Sequence, residues 1–157
     1  IYTLSLHDAL PISPGTYRIT ITGTGTSATR TTTFTLTVTG TGGGCSGTND
    51  TDVAIPDPGT ASSSITIAGC GRAASATSTV SVNIQHTYRG DLVIDLIAPD
   101  GSSYRLKGFS LLDGADNVIA TYTVNLSSEA ADGTWRLQVR DVLRGDSGYI
   151  NTWSLNL

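Results

Sequence analysis

Gly133-Thr134-Trp135-Arg136-Leu137-Gln138-Val139 alternates large apolar and polar side chains without a break. A period of two puts Trp135, Leu137 and Val139 on one face of an extended strand. The same pattern recurs in Val80, Val82 and Ile84, in Leu92, Ile94 and Leu96, and in Trp153, Leu155 and Leu157 at the chain end. Residues 65–67 and 118–124 supply further strands. Turn formers separate these runs: Pro99-Asp100-Gly101, Asp113-Gly114, Asp132-Gly133, and Gly145 with Gly148. No segment carries a helical period. Short alternating strands at this spacing predict an all-β fold, an antiparallel jelly roll or β-sandwich over residues 45–157. Trp135 and Trp153 read as its core anchors, each burying roughly 150–250 Å².

Upstream the sequence changes character. Gly40-Thr41-Gly42-Gly43-Gly44 reads as a flexible linker, residues 40–44. Before it, Tyr17, Ile19 and Ile21 alternate against polar residues, and Phe34, Leu36 and Val38 do so again. Residues 13–39 are therefore expected to form a β-hairpin with one buried face, similar to the last two strands of an Ig-like repeat. Two strands alone are marginal in water, so partner strands are expected upstream. Residues 1–12, IYTLSLHDALPI, fit neither segment. They resemble a translated sequencing-adapter read, the alternative being a loop and strand of a preceding domain. His7 is given no functional weight. These residues lack the basic start and apolar core of a signal peptide, so the chain is expected to be a piece of a longer exported protein.

Composition narrows the function. The chain has 157 residues and a net charge of −4. Asp8 is the one acidic residue outside residues 45–157, and Arg18 and Arg30 are the basic ones. Of 13 acidic and 9 basic residues, this segment therefore keeps 12 and 7. That balance excludes a phosphate-binding face. No apolar run is long enough to span a bilayer. The two cysteines, Cys45 and Cys70, are expected to form one disulfide in an extracellular setting; two reduced thiols are the cytosolic alternative.

Several motifs imitate chemistry. Gly145-Asp146-Ser147-Gly148, with His86 upstream, copies the nucleophile loop and chain order of trypsin-like proteases. Tyr149 follows where that class has a further glycine, and the chain is too short for two barrels, so no catalytic residue is assigned. His86 is expected to be a hydrogen-bonded histidine at a strand end. Arg89-Gly90-Asp91 and Arg144-Gly145-Asp146 spell integrin-type triplets, a match too short to carry weight. Asn49 and Asn125 head formal glycosylation sequons. Many aspartates sit in turns. Asp113, Asp116 and Asn117 are close enough in sequence to share a calcium ion, the alternative being solvated or capping turn residues.

An ordered set of motifs carries a family resemblance: Val53-Ala54-Ile55-Pro56-Asp57, His86-Thr87-Tyr88-Arg89-Gly90-Asp91-Leu92, Leu96-Ile97-Ala98-Pro99-Asp100-Gly101, Gly133-Thr134-Trp135-Arg136-Leu137, Asp146-Ser147-Gly148-Tyr149-Ile150 and Trp153-Ser154-Leu155. Over residues 45–157 the chain resembles the P/Homo B domain, the β-sandwich that follows the catalytic domain of kexin-like and other subtilisin-like proteases and of some bacterial metalloproteases. The resemblance implies a non-catalytic accessory domain, with calcium as a modulator and the catalytic domain of a parent protease as partner. It further implies a secreted, bacterial, monomeric setting and a serine-type parent ahead of a metallo-type one. The competing reading is a carbohydrate- or surface-binding adhesion module. That reading needs an exposed aromatic platform, for which Tyr88, Tyr104, Phe109 and Tyr149 are the candidates.

Overall fold

The computed structural model describes residues 15–38 and 44–157. The expectations placed on residues 1–12 and on most of the 40–44 linker lie outside these residues. The chain divides into two compact units, Ile1–Thr41 and Gly42–Leu157.

In the first unit, β1 (Gly15–Thr24) and β2 (Thr29–Val38) pair antiparallel over their whole length. The register sets Tyr17 opposite Leu36 and Ile19 opposite Phe34, so the apolar side chains share one face as the alternation predicts. That face is not buried: Ile21 is 57% and Phe34 56% exposed. Among the described residues the hairpin has no second layer of its own to pack on.

The second unit is a β-sandwich, as expected. Its strands are β3 (Ser46–Asn49), β4 (Val53–Ile55), β5 (Gly59–Ile67), β6 (Ser78–His86), β7 (Leu92–Ile97), β8 (Ser103–Lys107), β9 (Val118–Val124), β10 (Gly133–Asp141) and β11 (Gly148–Asn156). One sheet runs β5-β10-β7-β8 and the other β3-β11-β6-β9, with β4 also paired to β11. Every ladder is antiparallel. A single 3₁₀ turn at Arg89–Asp91 is the only helical element among the described residues.

The core sits between the sheets. Val80, Ile84, Leu92, Ile94, Leu96, Trp135, Leu137 and Val139 are fully enclosed, and Trp153 and Leu155 nearly so. Both tryptophans bury their N–H with an acceptor: Trp135 Nε1 donates to Ala131 O at 3.0 Å and Trp153 Nε1 to Ser63 Oγ at 2.9 Å. Strand β7 is apolar on its inward face and, apart from Asp95, on its outward face too. Its outward residues Val93 and Ile97 are buried although they stand outside the central cluster. The register puts Arg140 beside Val93 and Arg136 beside Ile97, where long arginine stems shield apolar surface.

Cys45 and Cys70 are joined by a disulfide with a Cα–Cα distance of 5.7 Å. It ties the entry to β3 to the loop after β5. The C-terminus is pinned at the same place, because Leu157 N donates to Cys45 O at 2.7 Å.

Candidate functional site

Three of the four buried charged or imidazole side chains, His86, Asp91 and Asp141, gather where β6 and β10 end. Along β6 the inward positions run Ser78, Val80, Val82, Ile84, His86, and along β10 they run Trp135, Leu137, Val139, Asp141. His86 and Asp141 thus continue the apolar stripes of two different sheets and meet in the interior. His86 Nε2 lies 3.2 Å from Asp141 Oδ2, and neither side chain is exposed to solvent. The other ring nitrogen, Nδ1, accepts from Tyr88 N at 3.2 Å and lies 3.0 Å from Tyr88 O. Asp141 Oδ1 accepts from Leu143 N at 3.2 Å.

This geometry decides against catalysis at the trypsin-like motif. Ser147 and His86 line one open groove, together with Asn117 and Tyr149. Both imidazole nitrogens are already committed, one to Asp141 and one to the Tyr88 backbone. No nitrogen is left to take a proton from Ser147. His86 is the hydrogen-bonded strand-end histidine that the sequence suggested. Its carboxylate partner was missed, although Asp141 stands in the inward phase of its strand, which was the available signal.

The Arg89-Gly90-Asp91 triplet is structural. Arg89 Nε donates to both oxygens of Asp113, at 2.8 and 2.9 Å. Gly90 is buried so tightly that a Cβ there would stand 2.4 Å from Ser110 O and 2.7 Å from Asp113 O. Asp91 is 3% exposed, and its Oδ1 has no hydrogen-bond partner. Its backbone is engaged on both sides, Asp91 N donating to Tyr88 O at 3.2 Å and Asp91 O accepting from Val142 N at 3.1 Å. Burial, followed by the charges of Asp141 and Asp146, pushes the Asp91 carboxyl above the usual range. In the second triplet, Asp146 Oδ1 accepts from Thr87 Oγ1 at 2.8 Å, and Gly145 N donates to Asp57 Oδ2 at 3.0 Å.

Two of the three residues singled out for calcium have protein partners. The Asp113 carboxylate is held by Arg89, and Asn117 Oδ1 accepts from His86 N at 2.9 Å. Asp116 is exposed. No group of three His, Cys, Asp or Glu side chains among the described residues is arranged to hold a metal ion. Asp132, by contrast, has a clear structural task. Its two oxygens accept from Cys70 N and Gly71 N, both at 2.8 Å, and these bonds lower its carboxyl below the usual range.

A sequence profile of the proprotein convertase P-domain matches residues 75–157, more than half of the chain and all of the sandwich from just before β6 onward. The chain belongs to the proprotein convertase P-domain family. Among its relatives, the transglutaminase-activating metalloprotease of Streptomyces mobaraensis is 58% identical over 73 residues, 46% of this chain and 10% of that protein. Proprotein convertase subtilisin/kexin type 6 of Rattus norvegicus is 36% identical over 83 residues, 48% of this chain and 9% of that one. The chain therefore spans about a tenth of these relatives. The serine protease of Aeromonas sobria, solved with its chaperone, superposes with a TM-score of 0.50 at 20% identity, covering 93% of this chain and 27% of that one. At that identity the likeness speaks for the fold alone.

Of the four candidate platform rings, Tyr88, Tyr104, Phe109 and Tyr149, two have their hydroxyls engaged within the domain. Tyr104 packs against the core and its hydroxyl donates to Glu129 Oε1. The Tyr88 hydroxyl donates to Leu111 O at 2.8 Å, and Tyr149 lies on β11 opposite Gln85. Phe109 and Tyr149 are exposed. The most exposed apolar side chains of the sandwich are instead Leu112 at 98%, Ile119 at 73% and Leu111 at 64%. Leu111 and Leu143, from two loops, flank one cavity of about 210 Å³ beside Tyr88 and Asp91.

Proposed function

We propose that this chain is a non-catalytic accessory domain of an extracellular endopeptidase, supporting the folding, stability or substrate engagement of that enzyme's catalytic domain. The observation that carries the reading is the P-domain match over residues 75–157. Three features support it. The sole described histidine is locked in a buried structural pair, so it is not available as a general base. Exposed leucines on adjoining loops supply the sort of apolar surface that marks a protein-binding site. The disulfide suits an oxidising, extracellular setting. The relatives' names divide between metalloprotease and subtilisin/kexin type, so the proposal stops at endopeptidase for the parent. Among the described residues no helix is long and apolar enough to cross a membrane.

The engaged hydroxyls of Tyr88 and Tyr104 weigh against the adhesion reading, which needed a flat exposed set. Sequencing the gene on both sides of this segment tests the proposal. An adjoining protease domain is the expected result, and its absence would sink the reading. A fluorophosphonate probe gives the second check: Ser147 is expected to remain unlabelled.

A further inference from the structure

The two sheets of the sandwich end on β3 and β9, and on β5 and β8. Three of these edges are guarded in the ways proteins use against stray pairing. Strands β3 and β4 share one edge along β11 and are only four and three residues long. Along β5, Asn49 Nδ2 donates to Ser64 O at 2.9 Å, and Gly47 lies so close that a Cβ there would stand 2.4 Å from Ile65 Cγ2. Strand β8 is short, carries Arg105 and Lys107, and pairs with β7 in an irregular register. Strand β9 has none of these defences. Its seven residues include no charge, proline or glycine, and it pairs with β6 without a bulge. No other backbone hydrogen bond among the described residues reaches it. Alternate N–H and C=O groups of an edge strand point away from its one neighbour, so β9 offers a row of them. Ile119, 73% exposed, stands on its outer face.

A cationic pocket lies along this open edge. Arg89, Lys107 and Asp113 line a cavity of about 210 Å³ whose apolar wall is the Val118–Tyr122 stretch of β9. Asp113 answers only one of the two cations, through Arg89 Nε. Lys107 Nζ donates to Leu92 O and Gly108 O, both at 3.2 Å, and forms no ion pair among the described residues. Burial lowers the Lys107 ammonium below its usual range, and a carboxylate beside it would stabilise the charged form. The inward positions of β9 are Val118, Ala120, Tyr122 and Val124. A strand added outside β9 would project every second side chain to that same face, over the pocket. We propose that the open edge of β9 takes up an extended segment of a partner protein as an additional strand, with an aspartate or glutamate of that segment seated between Arg89 and Lys107. Main-chain bonds along the edge supply affinity, and the pocket selects the side chain. A second copy of the chain fits less well, since β9 has no acidic residue to place there. The inference does not rest on the protease reading.

Fluorescence anisotropy and amide hydrogen exchange on the full 157-residue chain test this. The probe is a fluorescein-labelled, end-capped heptapeptide with threonines on one face and valine, glutamate and valine on the other. Saturable binding is expected, together with slowed exchange at alternate amides of β9. Replacing the peptide's glutamate with glutamine should weaken binding by roughly tenfold, because a charge-assisted bond is lost, and a lysine there should abolish it. Lys107→Gln should weaken binding of the glutamate peptide by a similar factor and leave that of the glutamine peptide unchanged. Should Lys107→Gln fail to fold, the three peptides on the wild type carry the test. Absence of saturable binding overturns the proposal, as does binding that leaves the β9 amides unprotected. Equal affinity for the three peptides overturns it too, because the pocket then selects no acid. A dimer in sedimentation whose β9 amides are protected without peptide overturns it in favour of a second copy.

Discussion

Replacing His86 with alanine is expected to unfold this domain more easily. Both partners of the His86–Asp141 pair are shut off from solvent, and they sit 3.2 Å apart across the two sheets. Without the imidazole, Asp141 Oδ2 faces the interior alone, and only Oδ1 keeps a donor, Leu143 N at 3.2 Å. Tyr88 N loses its acceptor too. Removing one member of a buried pair costs about 3–5 kcal/mol, most of it the burden of the stranded charge. Unfolding entropy near 2.1 cal/mol/K per residue gives roughly 0.24 kcal/mol/K for a unit of this size, so the midpoint should fall by about 12–20 °C. Circular dichroism melts of the wild type, His86→Ala, Asp141→Ala and the double variant supply the measurement. Because each single change strands the other partner, the double variant should lose less than the sum of the two, by about 1 kcal/mol or more. Strict additivity, or a loss below about 1 kcal/mol for His86→Ala, would refute the account of the pair as a structural latch.

Three further outcomes are expected. Trp153→Phe leaves the buried Ser63 hydroxyl without its partner at 2.9 Å, and a stability loss of about 1–3 kcal/mol beyond packing should be recovered in part by adding Ser63→Ala, as read in urea melts. Reducing the Cys45–Cys70 bond reopens a loop with a sequence separation of 25, and the chain-entropy relation puts the loss at about 3.5 kcal/mol, visible as an earlier melt in dithiothreitol. Asp132 has its folded carboxyl lowered by two backbone N–H donors, so its contribution is present above the unfolded carboxylate range and is lost as pH falls through the folded value. Melts taken from pH 5 downward should show the wild type losing more midpoint than Asp132→Asn, and parallel curves would refute the assignment.

The alternation was enough for the sandwich because a strand has only two faces. Once Trp135, Leu137 and Val139 share one, that face must be the core, and the remaining stripes follow by the same rule. Phase alone also carried more than was read from it. His86 and Asp141 extend inward stripes by one further step, and a polar residue in that phase must be satisfied inside. The partner could not be read, since β6 and β10 lie in different sheets and 55 residues separate the pair.

The sequence by itself determined the fold class and the family, which depend on local periodicity and on ordered motifs. Tertiary structure alone decided which aspartates are engaged. Nearness in sequence suggested Asp113, Asp116 and Asn117 as a group, yet a guanidinium from the 3₁₀ turn takes the first and a β6 amide takes the last. The acid left bare is Asp91, brought together with Asp146 by two loops that adjoin only once the sheets have packed. Electrostatics in an interior depends on distance through space, and strand order rather than chain order sets that distance.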